Sequence, residues 1–282
     1  MLGCQKSGSQ TPGPDEYSET PQSITLTGGS IREASGIADS KANPGYLWVE
    51  EDSGNPSQLY LLGHDGKIAG KIRIVGGINR DWEDIVLGAG PVKGTKYLYV
   101  GDIGDNNAVY PSYTLYRFIE PKINIADITS SSITTFTKLT FKYPDGSHDA
   151  EAFLVDSNTR DIYVITKRED SSRLYKLPFP QDTTKMMTAI YISRLPYNYV
   201  TSATLSPDSK ELIVKTYTNL YFYTRSPSES IATTLSRTPS ILHYQIEQQG
   251  EAVCFALDYS GFYTLSETRE TTPAPLYFYK RN

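Results

Sequence analysis

Short apolar runs recur along the whole chain, separated by turns rich in Gly, Pro, Asn and Asp. Within them tyrosines mostly alternate with aliphatic residues, and helical periodicity is nearly absent. A Leu-Tyr pair marks one such run five times: Leu59-Tyr60, Leu115-Tyr116, Leu174-Tyr175, Leu220-Tyr221 and Leu276-Tyr277. Ahead of each pair lies a second strand signal: Leu47-Trp48-Val49, Leu98-Tyr99-Val100, Ile162-Tyr163-Val164, Leu212-Ile213-Val214 and Phe262-Tyr263-Thr264. A third precedes that one, starting with Glu33-Ala34, Glu83-Asp84, Glu151-Ala152, Ser202-Ala203 and Glu251-Ala252. Further β-rich stretches fill the gaps: Lys71 to Val75, Thr137 to Lys142, Ala189 to Ile192 and Leu242 to Ile246.

Each unit therefore reads as four strands in about 50 residues, the pattern of a β-propeller blade. A parallel β-helix needs a shorter repeat, and a sandwich does not repeat in this way. The fifth unit ends after its third strand, while Ser23 to Thr27 is a strand without a unit. Pairing the two closes the ring and removes an exposed edge. The expectation is an all-β chain of five four-stranded blades closed by an N-terminal strand. Six blades are the alternative, if the 68-residue interval from Glu83 to Glu151 hides a degenerate one.

Composition narrows the function classes. A net charge of −5 argues against a nucleic-acid-binding face, and no apolar run is long enough to span a membrane as a helix. Cys254 lies in the apolar run Ala252 to Ala256 and reads as a buried, inert thiol. Cys4 follows Leu2-Gly3 and precedes a Ser/Gly/Pro/Thr tract, which resembles the end of a bacterial lipoprotein signal. On that reading residues 1–21 form a lipidated tether and residues 22–282 one propeller domain. The protein would then be a monomer of the bacterial cell envelope or exterior, touching a membrane only through the lipid on Cys4.

Propeller geometry gathers the starts of the inner strands and the ends of the second strands at one rim. The first set is Glu33, Asp81, Glu83, Asp84, Asp149, Glu151 and Glu251. The second includes Asp52, Asn55, Asp102, Asp105, Asn106, Lys167, Arg168, Lys215, Tyr217 and Glu267. At about 6 Å and an effective dielectric of 20, each like-charged pair repels by roughly 3 kcal/mol. Such a ring is protonated, compensated by cations, or held by backbone amides. Glu33, Glu83, Glu151 and Glu251 are the candidate metal ligands, with Ca²⁺ the ion that carboxylates and Asn carbonyls prefer. Asp52, Asn55, Asp84, Asn106, Lys167, Lys215 and Glu267 are candidate ligand-binding residues. Asp102 and Asp105 are candidate general bases, and His148, next to Asp149, is the one histidine in position for acid–base work. The turns Asp52-Ser53-Gly54-Asn55 and Gly101 to Asn107 hold equivalent positions in adjacent units, although an Asx turn explains either alone.

Arg32 to Ile37, Trp48 through Asn55, Asp81-Trp82-Glu83-Asp84 and Tyr99 through Asn106 together resemble a group of secreted bacterial propellers of uncharacterised function. The resemblance covers roughly residues 30–270. That group is distantly similar to esterase-like phytases and gluconolactonase-type propellers, which implies a cation at the channel mouth held by carboxylates and Asn. Two departures stand out: Ser202-Ala203-Thr204 replaces Gly-Ala-Asp, removing a possible acidic ligand, and Lys215 stands where Arg is commoner. Three readings follow. The mouth binds a small molecule, sugar or protein with a bound cation; it is a Ca-dependent hydrolase of a phosphoester, ester or lactone, with Lys167 and Lys215 binding the anion; or its cations are structural.

Overall fold

A computed structural model describes residues 13, 16–226, 228–268 and 273–282. Five sheets, antiparallel apart from two short edge additions, form a five-bladed β-propeller. From the channel outward, the first blade runs Ala34–Asp39, Tyr46–Glu51, Gln58–Gly63 and Ile68–Ile74. The second runs Trp82–Ala89, Lys96–Asp102, Tyr113–Ile119 and Thr137–Lys142. Ala150–Val155, Ile162–Thr166, Arg173–Leu177 and Ile190–Arg194 make the third. Val200–Leu205, Glu211–Thr216, Leu220–Thr224 and Ser240–Leu242 make the fourth. The fifth takes Gly250–Phe255, Gly261–Ser266 and Leu276–Lys280, then Gln22–Ile24 from the other end of the chain. Ser23 pairs with Tyr277 in this closing strand, as the unpaired N-terminal strand required. The inner strands touch in cyclic order, and the last packs against the first.

The strands are rich in β-branched and aromatic residues, which suit a pleated surface buried on both sides. Burial creates five apolar clusters, one per blade interface. Trp48, Trp82, Phe153 and Tyr279 are among the side chains that are fully enclosed, each contributing about 1.5–3 kcal/mol. Cys254 is buried, as its apolar run implied.

The five-blade expectation holds, and three finer ones change. The long interval holds no sixth blade. Its extra residues form a 3₁₀ turn, Ile125–Ser130, and a short strand, Ser132–Ile133, that adds in parallel to the outer edge of blade one. Met187–Thr188 likewise adds to blade two, so these two blades have five strands rather than four. In blade four the outer strand is Ser240–Leu242, earlier than Leu242–Ile246, because Tyr244 and Glu247 turn inward to meet Lys215. The propeller also begins before residue 22. Tyr17 is buried against Phe222, Phe255 and Phe262, and its hydroxyl donates to Glu211 at 3.0 Å. Cys4 lies outside the described residues.

Candidate functional site

All five inner strands carry a β-bulge at the same level. The extra residues are Ser35, Glu83, Glu151, Thr201 and Glu251. A bulge re-aims the side chain it inserts, and repeating it five times builds a ring at the channel mouth. This register corrects the sequence alignment. The counterpart of Glu83 in blade one is Ser35, and Glu33 sits two residues earlier, exposed, accepting a 2.6 Å hydrogen bond from Asn55. Thr201, not Ser202, is the blade-four member. The ring has three glutamates and two hydroxyls.

Around it stand Asp81 and Asp149, one step towards solvent, and Asp52, Lys167, Tyr217 and Glu267 at the ends of the second strands. Oxygens of Asp52, Asp81 and Glu83 lie within 4.8 Å of one another, and so do those of Glu83, Asp149 and Glu151. Glu83 belongs to both trios. Ser35 donates to the Glu83 carbonyl at 2.9 Å and to its carboxylate at 3.3 Å, which fixes the shared side chain.

The two trios differ in what neutralises them. Lys167 is paired with Glu151, and Arg168 Nε lies 2.5 Å from Asp149 Oδ2. Burial alone would lower the Lys167 pKa, but Glu151 and Glu251 overcome it and hold the ammonium charged. Among the described residues, no Lys, Arg or His nitrogen is within ion-pair distance of Asp52, Asp81 or Glu83. The carboxyl pKa values of these three are shifted upward. Burial, then Asp52, pushes Asp81 up to about 6. Burial and the charges of Glu151, Asp52 and Asp81 raise Glu83 well above the usual carboxyl range, and burial raises Asp52. Glu267 reaches about 7 through burial and the fields of Glu251, Asp52 and Glu33.

The site fits a hard cation by two further features. One oxygen of Glu151 and one of Glu251 are buried without a hydrogen-bond partner. Gly104 passes so close that a Cβ there would lie 2.1 Å from Glu83 Oε1 and 2.6 Å from Asp81 Oδ2. Its lack of a side chain keeps the space beside those two carboxyls open, while its amide holds the Asp81 carbonyl at 3.1 Å.

Below the mouth the channel is plugged. Asp84, fully buried, accepts from the Ile85 amide at 2.9 Å, the Phe153 amide at 3.4 Å and, across the channel, the Ser202 hydroxyl at 3.3 Å. Glu50, which the sequence reading did not single out, is also fully buried and neither carboxyl oxygen has a partner. Burial, with the neighbouring charges of Asp52, Asp84 and Glu51, raises its pKa well above the usual carboxyl range.

The remaining expected residues are engaged elsewhere. Asp102 Oδ1 accepts from the Arg80 and Asp81 amides at 3.0 and 2.9 Å, so it anchors the backbone of the site. Both oxygens of Asp105 are taken up by Val109, Tyr110 and Tyr113. His148 is clamped, with Nδ1 2.7 Å from Glu169 and Nε2 3.2 Å from Asp145. Asn106 accepts from Arg168, and Asn55 also caps the Asp52 carbonyl at 3.1 Å. Lys215 is wholly enclosed between blades four and five, 3.0 Å from Glu247 and touching the Tyr244 hydroxyl. It does not reach solvent, so the expectation that it receives an anion at the mouth does not hold. Glu251 accepts from Tyr217 at 3.0 Å.

Fold and site together define a five-bladed propeller with a carboxylate ring at one end of a plugged channel. No family model matches the chain, and no curated protein matches it. Among solved structures it is similar to a chain of Kuenenia stuttgartiensis hydrazine synthase, at 14% identity and a TM-score of 0.43. The match covers 88% of this chain and 60% of that one, so this chain spans less than two thirds of that protein's length.

Proposed function

We propose that the protein is a binding module that holds a Ca²⁺-type cation at the channel mouth and uses that face to capture a ligand or partner. One observation carries the reading: Asp52, Asp81 and Glu83 converge within 4.8 Å, and among the described residues no Lys, Arg or His nitrogen makes an ion pair with any of them. A hard cation with oxygen ligands supplies the missing charge, leaving coordination positions for oxygens of a bound molecule. Lys167 and Arg168 already balance Glu151 and Asp149, which favours the first trio over the second. A cell-envelope location, tethered through Cys4, belongs to this reading and rests on residues 2–21 of the sequence alone.

Hydrolysis of a phosphoester, ester or lactone is the second reading. The observation in its favour is Asp81, whose carboxyl titrates near the pH at which a general base operates. Asp102 and Asp105 do not support it, since backbone and tyrosine donors occupy them.

Terbium luminescence tests the cation. Tb³⁺ replaces Ca²⁺ in oxygen sites and is excited through nearby tyrosines, of which Tyr217 is at the mouth. Saturable emission that Ca²⁺ displaces and Glu83→Gln removes supports the proposal. Absence of emission together with absence of Ca²⁺ binding by calorimetry overturns it.

A further inference from the structure

Beside the mouth, between blades three and four, lies a groove of about 480 Å³ lined by tyrosines. Tyr199 is half exposed, Tyr217 forms the wall next to the mouth, and Tyr197 stacks on Tyr221 at 4.0 Å with ring planes 9° apart. A second groove of about 600 Å³ shares Pro196, Tyr197 and Tyr221 with the first and extends the surface beyond a single hexose ring; it also carries Arg194 and Arg237, so the uncharged surface is the first groove alone.

The chemistry of the first groove is specific. None of its lining residues is charged. Two polar groups there have no partner among the described residues: the Asn198 carboxamide and the Tyr199 hydroxyl. The Tyr197 hydroxyl, by contrast, is paired with Tyr223 at 2.9 Å. Tyr199 is also held in the left-handed region, φ +55°, and its amide donates a 2.9 Å hydrogen bond to the Lys167 carbonyl. A bulky residue in that conformation costs about 1–3 kcal/mol, and such residues cluster at ligand sites.

We infer that this groove binds a neutral oligosaccharide, a claim that rests on the channel mouth being the binding face. A sugar ring has an apolar C–H face, which packs on an aromatic ring, and equatorial hydroxyls, which both donate and accept. The half-exposed Tyr199 ring, flanked by an unpartnered amide and hydroxyl on a lining without charged residues, matches both needs. Tyr217 joins the groove to the mouth: its hydroxyl donates to Glu251, and Lys167 Nζ lies 4.9 Å from its ring centre. One end of the saccharide therefore meets the carboxylate and cation face.

The test uses the full chain and four tetrasaccharides, of glucose linked α or β, of mannose and of N-acetylglucosamine. Saturation-transfer NMR and calorimetry are run in Ca²⁺ and in EDTA, with decaproline as the control for a peptide groove. The inference predicts that at least one tetrasaccharide binds. Tyr199→Ala should weaken it tenfold or more while leaving the melting midpoint and Ca²⁺ affinity unchanged, and Tyr199→Phe should retain most of the affinity. Failure of all four sugars, binding of decaproline alone, or equal affinity in Tyr199→Ala overturns it. Saccharide binding that persists in Glu83→Gln upholds the groove while the cation proposal is judged by terbium. Ca²⁺ binding without saccharide binding does the reverse.

Discussion

Gly104→Ala places one methyl group where the account puts a cation. The new Cβ lies 2.1 Å from Glu83 Oε1 and 2.6 Å from Asp81 Oδ2, against a comfortable separation of about 3.3 Å. Gly104 is not in the left-handed region, so the backbone accepts alanine and the clash falls on the two carboxyls. Relieving it moves the Glu83 oxygen by roughly 1 Å. Ca²⁺–oxygen bonds are about 2.3–2.6 Å long, so a shift of that size removes a ligand from the coordination sphere. The expected result is Ca²⁺ binding weakened by about 10–100-fold, equivalent to about 1.4–2.8 kcal/mol. Overpacking costs about 1–3 kcal/mol in the absence of ion, with part returned by the stiffer unfolded chain. Calorimetric titration of Ca²⁺ into EDTA-stripped wild type and variant measures the difference. A folded Gly104→Ala protein with a dissociation constant within threefold of wild type would refute the reasoning.

Three other predictions come from the same geometry. With Asp81 raised to about 6 and Glu267 to about 7, the folded protein keeps protons that the unfolded chain releases from about pH 4. Melting in EDTA should therefore show stability falling as pH rises from about 4 to 7, while Ca²⁺ affinity rises over the same window because those protons must leave; a flat profile for both is the contrary result. Asp84→Ala strips three donors of their acceptor at the channel plug and should cost about 2–4 kcal/mol, lowering the midpoint by roughly 5–12 °C in a calorimetric scan, whereas a loss below 2 °C would mean the plug is not structural. Tyr17→Ala empties an aromatic pocket between blades four and five and should cost about 3–5 kcal/mol by denaturant titration; no change would place residues 16–18 outside the cooperative fold.

The blade count and ring closure were legible because each blade repeats the same alternation and one strand at each end lacks a partner. The ring of site residues was only partly so. Glu33-Ala34 imitates Glu83-Asp84 and Glu151-Ala152 in sequence, yet the bulge residue in blade one is Ser35. A slip of two residues returns side chains to the same face of a strand, so alternation cannot detect it. Burial was also invisible locally. Lys215 is the penultimate residue of its second strand and Lys167 follows the end of its own, and Glu247, 32 residues after Lys215, folds back to enclose it. Asp102 and Asp105 occupy the most conspicuous turn in the sequence, and their oxygens are needed to hold that turn against Asp81 and Tyr113. Gly104 lies inside the Gly101 to Asn107 turn, where sequence alone does not show its close approach to Asp81 and Glu83 from a different segment. The pairing that could have located Glu50 is distant in sequence, since the Asp84 charge that acts on it comes from the next blade.

The central claim is that the mouth carries unbalanced carboxylates awaiting a cation. Thermal unfolding of the purified chain in EDTA, and again with Ca²⁺ at 100 times its dissociation constant, tests it most directly. A site present only in the folded state adds about 2.7 kcal/mol, which for a chain of this length raises the midpoint by roughly 5–10 °C. The account predicts that rise in the wild type and its loss in Glu83→Gln. Identical midpoints in EDTA and in Ca²⁺ at neutral pH, with Mg²⁺ and Tb³⁺ equally without effect, would contradict it and leave the ring as protonated architecture.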